Sequence, residues 1–394
     1  MNRAASQFID AVRWMAAALV VLHHATNIFV NLSDIMKASH GPLVYAWWFV
    51  TAFGFAHAGL VMFFVFSGAL VGGALIERMK EPKPFFRKYL IDRTVRIYIV
   101  LVPVLFLGAG LDIFGRHIFA GHAVYDPLFS DKFQLHLLLA TLASLQGIWF
   151  SAFGTNDPLW SLAMEYWYYV CFPLLFLPLS AWHGRGMKIF GFSAGVAIFV
   201  ALGLSGSYFA FGFLPWLLGV AVRLAKAPLV RSKYLALTIW IVPMTIMRLA
   251  VPFPAIDQFP MKAMVDGINA LTTANLLLTL RFSDRPFRFC DLSIHKPMAD
   301  FSYSLYTLHL PVLVFVWGLT DVFIRPGWHA ELATPAHYAV AIGALLLVEI
   351  LAYGISLLTE RRTDVVRKWA NALLPGAPKP ASGAAATARA HSTQ

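Results

Sequence analysis

Arg13 and His24 stand eleven residues apart in the stretch FIDAVRWMAAALVVLHHATN. On an α-helix that interval is about 20° past three full turns, so both side chains share one face, roughly 16 Å apart along the axis. His23 points about 100° away. A guanidinium offers forked donors to an anion, and an imidazole can take and return a proton near neutral pH. Four other segments gather polar side chains. Ser161, Glu165 and Tyr168 or Tyr169 fall at i, i+4 and i+7 or i+8 in NDPLWSLAMEYWYYVCFP, directly after Trp160. Ser302, Tyr306 and His309 fall at i, i+4 and i+7 in DFSYSLYTLHLPVL, just before Pro311. Pro311 removes one backbone donor and should kink that helix and free a carbonyl. Arg93 and Arg96 lie one turn apart in FFRKYLIDRTVRIYIV, and Ser67 adjoins Gly68, Gly72 and Gly73 in GLVMFFVFSGALVGGAL.

Each segment has an ordinary structural explanation when taken alone. Arg13 can snorkel toward a membrane edge and pair with Asp10, three residues earlier. Buried histidines and glycine faces are common where apolar helices pack. Aromatic clusters form interfacial belts. Together, however, the five segments describe a polar pocket between helices. An imidazole in that pocket can act as general base on a hydroxyl. A carboxylate can orient it or stabilise its protonated form. Arginines at the mouth can hold an anionic, phosphate-bearing donor. That is group transfer, with acyl transfer the simplest case; spacing alone does not choose the group. The same polar interior would also suit a transporter or flippase of a glycan or lipid-linked substrate, although the chain shows no matching halves. The histidines lack ligand spacing, so no metal site is expected. Cys171 and Cys290 imply no disulfide framework.

The elements that position these residues follow from composition. Of 394 residues, 59% are hydrophobic and 13% charged, against about 45–50% and about 25% in soluble domains. Mean hydropathy is +0.67. The chain is therefore expected to be all-α and polytopic in a membrane. Ten apolar stretches approach spanning length: 9–30, 56–76, 95–115, 160–181, 189–205, 207–225, 234–253, 263–280, 299–322 and 337–358. The stretch 137–152 is shorter and is expected to lie in or dip into the outer face. Positive charge supports this arrangement. With both termini cytoplasmic and 137–152 not crossing, 25 of the 31 Lys and Arg fall inside; with it crossing, 12 do. The net charge of +11 then reflects cytoplasmic loops facing anionic lipid rather than nucleic acid. No small-x-small cleavage site follows the first apolar run, so it reads as a retained helix. Residues 1–8 form a cytoplasmic N-terminus, 9–358 one membrane domain, and 359–394 a cytoplasmic tail. The end of that tail, rich in Ala, Pro and Ser, is expected to be disordered.

These segments, in this order, resemble the acyltransferase family 3 integral-membrane proteins. The resemblance rests on Arg13 and His24 in the first span and FFVFSG (Phe63 to Gly68) in the second. It continues with Arg93-x-x-Arg96, WSLAMEYWYY (Trp160 to Tyr169) and FSYSLYTLH (Phe301 to His309). It covers roughly residues 8–358 and departs from the family at Trp14, where glycine often stands, and at the extra histidine His23. It implies a ten-helix fold in the bacterial inner membrane. It also implies transfer of an acetyl or related short acyl group from acyl-CoA, a co-substrate rather than a resident cofactor. The acceptor would be a hydroxyl of a cell-surface glycan or glycolipid. Carried over by position, His24 is the catalytic base, Arg13 supports it on the same helix face, and Glu165, also catalytic, lines the acceptor side with Ser161. Arg93 and Arg96 engage coenzyme A. Ser67, Trp160, Ser161, Tyr303, Tyr306 and His309 line the acceptor side.

Overall fold

The computed structural model describes residues 1–51, 53–122, 124–125, 131–250 and 260–373. Among them no β-strand occurs, only two isolated bridges, Asn31 with Leu332 and Gln146 with Phe150. The helices are α1 (Arg3–Phe29), α2 (Pro42–Thr51), α3 (Phe53–Ser67), α4 (Gly73–Met79), α5 (Phe86–Ile118), α6 (Leu135–Leu142) and α7 (Trp160–Leu175). They continue with α8 (Arg185–Gly203), α9 (Phe209–Leu224), α10 (Lys233–Ala250) and α11 (Met261–Arg281). Last come α12 (Ser302–Phe323), α13 (Pro335–Leu358) and α14 (Thr363–Leu373).

All ten expected stretches are helical over most of their length. Among the described residues, eight helical segments are long and apolar enough to cross a membrane. The helices α7 and α9 have 16 residues each and fall below that length. The 137–152 stretch does not form one long helix. Its helical part, α6, has eight residues, about 12 Å of rise against the roughly 30 Å of hydrocarbon. Tight turns follow, with positive φ at Ser144, Gly147 and Gly154. Two elements exceed expectation. The helix α2 precedes the second span, and α5 begins nine residues before its expected start, so Arg93 and Arg96 sit on its first turns.

Close packing sets the geometry around the polar residues. On α1, Ala17, Val21, Ala25 and Phe29 recur every fourth residue and pack with Leu305, Leu308 and Val312 of α12. Arg13 is the next member of that stripe, so it too faces α12. Between α3 and α4, residues Gly68–Gly72 form a π-helical turn, in which the Gly73 N–H reaches back to the Gly68 carbonyl. A Cβ on Gly68 would collide with the Trp216 carbonyl, and one on Gly219 with the Val65 carbonyl. Glycines on both helices therefore permit backbone contact between the second span and α9.

Pro311 lies inside α12 without ending it. Lacking an N–H, it leaves the carbonyl four residues back, on Thr307, without its helical donor. Asn156 fills the gap, its Nδ2 donating to the Thr307 carbonyl at 2.7 Å. The neighbouring Thr155 donates through N and Oγ1 to Asp112 of α5, at 3.0 and 2.8 Å. The loop before α7 is thus pinned to both α5 and α12.

After α13, the chain does not run straight into an unstructured tail. It forms α14, packed on α5 and held by an ion pair of 3.0 Å between Arg367 and Asp92. Val365, Trp369 and Leu373 lie at i, i+4 and i+8 and are exposed. The stretch expected to be disordered, from residue 375 on, lies outside the described residues.

Candidate active site

Five helices and the π-helical turn surround a cavity of about 370 Å³. The first turns of α5 contribute Arg93, Arg96 and Ile97, and α1 contributes Arg13. The start of α7 contributes Ser161, Leu162, Glu165 and Tyr169; the start of α12 contributes Ser302, Tyr303 and Tyr306. Leu60, Phe63, Phe64, Phe66 and Ser67 of α3, with Leu70 and Val71, form the apolar wall. Eight of the expected site residues thus meet at one place: Arg13, Ser67, Arg93, Arg96, Ser161, Glu165, Tyr303 and Tyr306.

The charges in this cavity are unbalanced. Three guanidinium groups face one carboxylate, Glu165. Among the described residues, none of the three arginines has a carboxylate oxygen within 4.0 Å. The expected Asp10–Arg13 ion pair does not form. The Arg13 side chain turns instead into the cavity, where its only hydrogen bond among the described residues is a long one of 3.5 Å to Ser302 Oγ. Arg93 Nε is buried without a partner. Arg96 and, on the apolar wall, Leu70 are exposed. Charged donors left unpaired away from water are costly unless a ligand completes them.

Glu165 is held by a directed chain of hydrogen bonds. Trp216 Nε1 donates to Ser67 Oγ at 3.1 Å, leaving the Ser67 hydroxyl to donate to Tyr169 at 3.0 Å. The Tyr169 hydroxyl donates to Glu165 at 2.5 Å. Every proton in the chain points toward the carboxylate, which suits its ionised form. Helix phase left Tyr168 and Tyr169 as alternatives; the fold separates them. Tyr169 joins Glu165, while Tyr168 is fully buried on the other side and donates to the Phe209 carbonyl at 2.7 Å. Sequence reasoning missed Trp216. Nothing in its local pattern distinguishes it from an ordinary core aromatic.

Tyr306 closes one end of the cavity. Its hydroxyl donates to the Pro158 carbonyl at 2.7 Å and accepts from Ser161 Oγ at 2.6 Å. Tyr303 reaches the Ile97 carbonyl at 3.4 Å. Beyond Tyr306 lie His309 and His24, which do not line the cavity. The Tyr306 and His309 rings are 5.7 Å apart, and His309 and His24 are 5.1 Å apart. The structure also separates the two adjacent histidines of α1. His23 is buried, with Nδ1 on the Thr51 carbonyl at 2.7 Å and Nε2 on Asn27 at 3.1 Å. His24 is half-buried and makes no hydrogen bond among the described residues. Glu165 is engaged with Tyr169, and no carboxylate contacts His24 among those residues. Trp160 also stands apart from the cavity, its ring 6.0 Å from Tyr208.

Residues 6–354 match the family model for the acyltransferase domain of acyltransferase family 3. The chain belongs to that family. It is a membrane acyltransferase, and the match spans both the arginine-lined cavity and the histidine pair. No curated protein and no solved structure matches the chain. Glu360, which accepts from the Ser304 hydroxyl at 2.7 Å, lies beyond the matched segment. Among the described residues no three His, Cys, Asp or Glu side chains are grouped to hold a metal ion. Both cysteines are free and buried.

Proposed function

We propose that this acyltransferase moves an acetyl or related short acyl group from acyl-CoA to a hydroxyl of a cell-surface glycan or glycolipid. It does so in the bacterial inner membrane, as a ten-span protein with both termini cytoplasmic. The observation that carries the reading is the set of three arginines, Arg13, Arg93 and Arg96, facing one cavity without carboxylate partners. Coenzyme A is a polyanion, and guanidinium forks match phosphate oxygens in charge and geometry. The apolar wall of Leu60, Phe63 and Phe64 suits the uncharged arm that carries the thioester. Arg93 and Arg96 hold the phosphates, and Arg13 reaches the deeper part of the donor.

The reacting thioester then lies toward Tyr306, between the arginines and His24. His24 is the general base. It removes the proton of the acceptor hydroxyl as the oxygen attacks the thioester carbonyl. The carbon–sulfur bond breaks, the acyl group stays on the oxygen, and the proton returns to the thiolate as coenzyme A leaves. Ser161, Tyr303 and Tyr306 orient the reacting groups, and Glu165 fixes the polar side of the cavity. Entry of the donor from the cytoplasm and of the acceptor from the opposite side matches the order of the two residues along α1, Arg13 nearer its N-terminal end and His24 nearer its C-terminal end.

The test is label transfer from radioactive acetyl-CoA into glycan in membrane vesicles carrying wild type or His24→Ala. Label is expected with wild type. The variant should lose it by about a hundredfold or more at equal protein level. Equal labelling in the two would remove His24 from the mechanism. Label that appears only with succinyl-CoA would reassign the acyl group.

A further inference from the structure

A base histidine works when something fixes its tautomer and ring orientation, most often a carboxylate on the far nitrogen. Among the described residues no carboxylate contacts His24. Its ring neighbours are His23, at 5.3 Å, and His309, at 5.1 Å. His23 has both nitrogens engaged, on the Thr51 carbonyl and on Asn27. His309 does not. Its Nδ1–H donates to the Tyr306 carbonyl at 2.5 Å, which makes Nε2 the lone-pair nitrogen of the neutral ring. That Nε2 is buried without a partner, and His309 itself is 0% exposed. A buried acceptor with no donor calls for an explanation in function or in a bound group.

We propose that His309 is the positioning residue for His24, in the seat that a carboxylate fills in other base dyads. In the working arrangement the His24 ring turns so that its N–H donates to His309 Nε2, and the second His24 nitrogen then presents its lone pair to the acceptor hydroxyl. In the structure the two rings stand 5.1 Å apart, centroid to centroid, with no hydrogen bond between them; that separation leaves room for a turn of the His24 ring to set the two edge to edge with one N–H···N bond of about 2.9 Å. The chain of dependence is short. The Tyr306 carbonyl sets the His309 tautomer, the His309 tautomer sets that of His24, and Tyr306 itself lines the donor cavity. During transfer the proton moves from the hydroxyl to His24 and then to the departing thiolate. His309 carries none of it. The dyad has no fixed negative charge, so when His24 takes up the proton its charge is spread by one hydrogen bond to a neutral ring.

This inference rests on the acyl-transfer reading, and the experiment separates the two. Label transfer from acetyl-CoA and equilibrium binding of acetyl-CoA are measured in vesicles for wild type, His309→Ala and His309→Gln. Both substitutions are also made on the His24→Ala background. His309→Ala should lower turnover by about a hundredfold with acetyl-CoA binding unchanged. His309→Gln can offer an amide oxygen near the Nε2 position and should recover at least about tenfold of that loss. On the His24→Ala background neither change should lower the rate further, because residues acting as a unit are not additive. A His309→Gln no better than His309→Ala would overturn the proposal. So would a full additional loss in the double variant, or a joint loss of acetyl-CoA binding, which would mark a purely structural histidine. Wild-type vesicles without transfer would overturn the acyl-CoA reading and this inference with it. Active wild type with an indifferent His309 would overturn the inference alone.

Discussion

At Arg13, α1 faces a cavity with three guanidinium groups and one carboxylate; at His24 it faces the imidazole of His309, with its own His23 alongside. The arginine region is roomy, and none of its guanidinium groups has a carboxylate oxygen within 4.0 Å among the described residues. In the histidine region three of the six ring nitrogens are bonded to backbone or to Asn27, while His309 Nε2 and both His24 nitrogens have no partner among the described residues. Unpaired cations in a cavity serve to attract and hold a polyanion. An imidazole whose nitrogens carry no structural bond can take up and return one proton. On the proposed function, the difference means that a single helix separates binding from chemistry by about three turns. The aromatic side chain of Tyr306 is the contact between them.

The sharpest way to break that separation is to remove the charges. The Arg93→Ala/Arg96→Ala double variant should raise the KM for acetyl-CoA by about a hundredfold and leave kcat nearly intact. Hydrogen bonds to charged groups are worth about 1.5–3 kcal/mol each, and the exposed Arg96 contributes the smaller share. Arg93→Ala alone should therefore cost more than Arg96→Ala alone. Steady-state transfer measured over a range of acetyl-CoA concentrations decides it. A fall in kcat at unchanged KM would mean that the arginines act on the reacting groups, and the two regions would have to be treated as one.

Much of this division was legible in the sequence, for physical reasons that can be traced. The three- and four-residue intervals among Ser161, Glu165, Ser302, Tyr306, Arg93 and Arg96 predicted shared faces, and the fold brings those faces to one cavity. Apolar runs located every long helix because the bilayer demands their length. What the intervals could not give was depth and azimuth relative to neighbours. Arg13 and His24 share a face of α1, yet only the packing of α12 and α5 shows that one meets the cavity and the other does not. Asp10–Arg13 had ion-pair spacing, but the stripe on Ala17, Val21 and Ala25 turns Arg13 toward α12. Trp216 was invisible because its role depends on Gly68, Gly72 and Gly219, which let α9 approach the second span. Trp160 stands next to Ser161 at the start of α7 but on another face of the helix, with its ring beside Tyr208 rather than on the cavity.

A smaller effect comes from the hydrogen-bond chain that ends on Glu165. Tyr169→Phe removes the 2.5 Å bond to the carboxylate and leaves the Ser67 hydroxyl without its acceptor. The loss of a bond to a charged group should lower transfer by about tenfold. Acetyl-CoA binding should weaken only a few-fold, because the arginines are untouched. Ser67→Ala, one step further from Glu165, should cost less than Tyr169→Phe. If Ser67→Ala were the more damaging of the two in the same label-transfer measurement, the chain would serve the packing of α9 on the second span rather than Glu165.

The smallest effect tests the strut between the two regions. Thr307 lies between Tyr306, which lines the cavity, and His309, which neighbours His24; its carbonyl is freed by Pro311 and taken up by Asn156. Asn156→Ala leaves that carbonyl buried and unpaired, at a cost of about 1–3 kcal/mol. In a chain of this length that amounts to a few degrees of melting temperature. Because the strut bears on both neighbours of Thr307, KM and kcat should each change by a few-fold, in the same variant and to similar extent. Asn156→Gln keeps the amide but lengthens the arm, and it should recover part of the melting temperature. A variant in which only kcat moved would show that α12 transmits the disturbance to His309 and not to Tyr306. The separation along α1 would then be stricter than the shared tyrosine suggests.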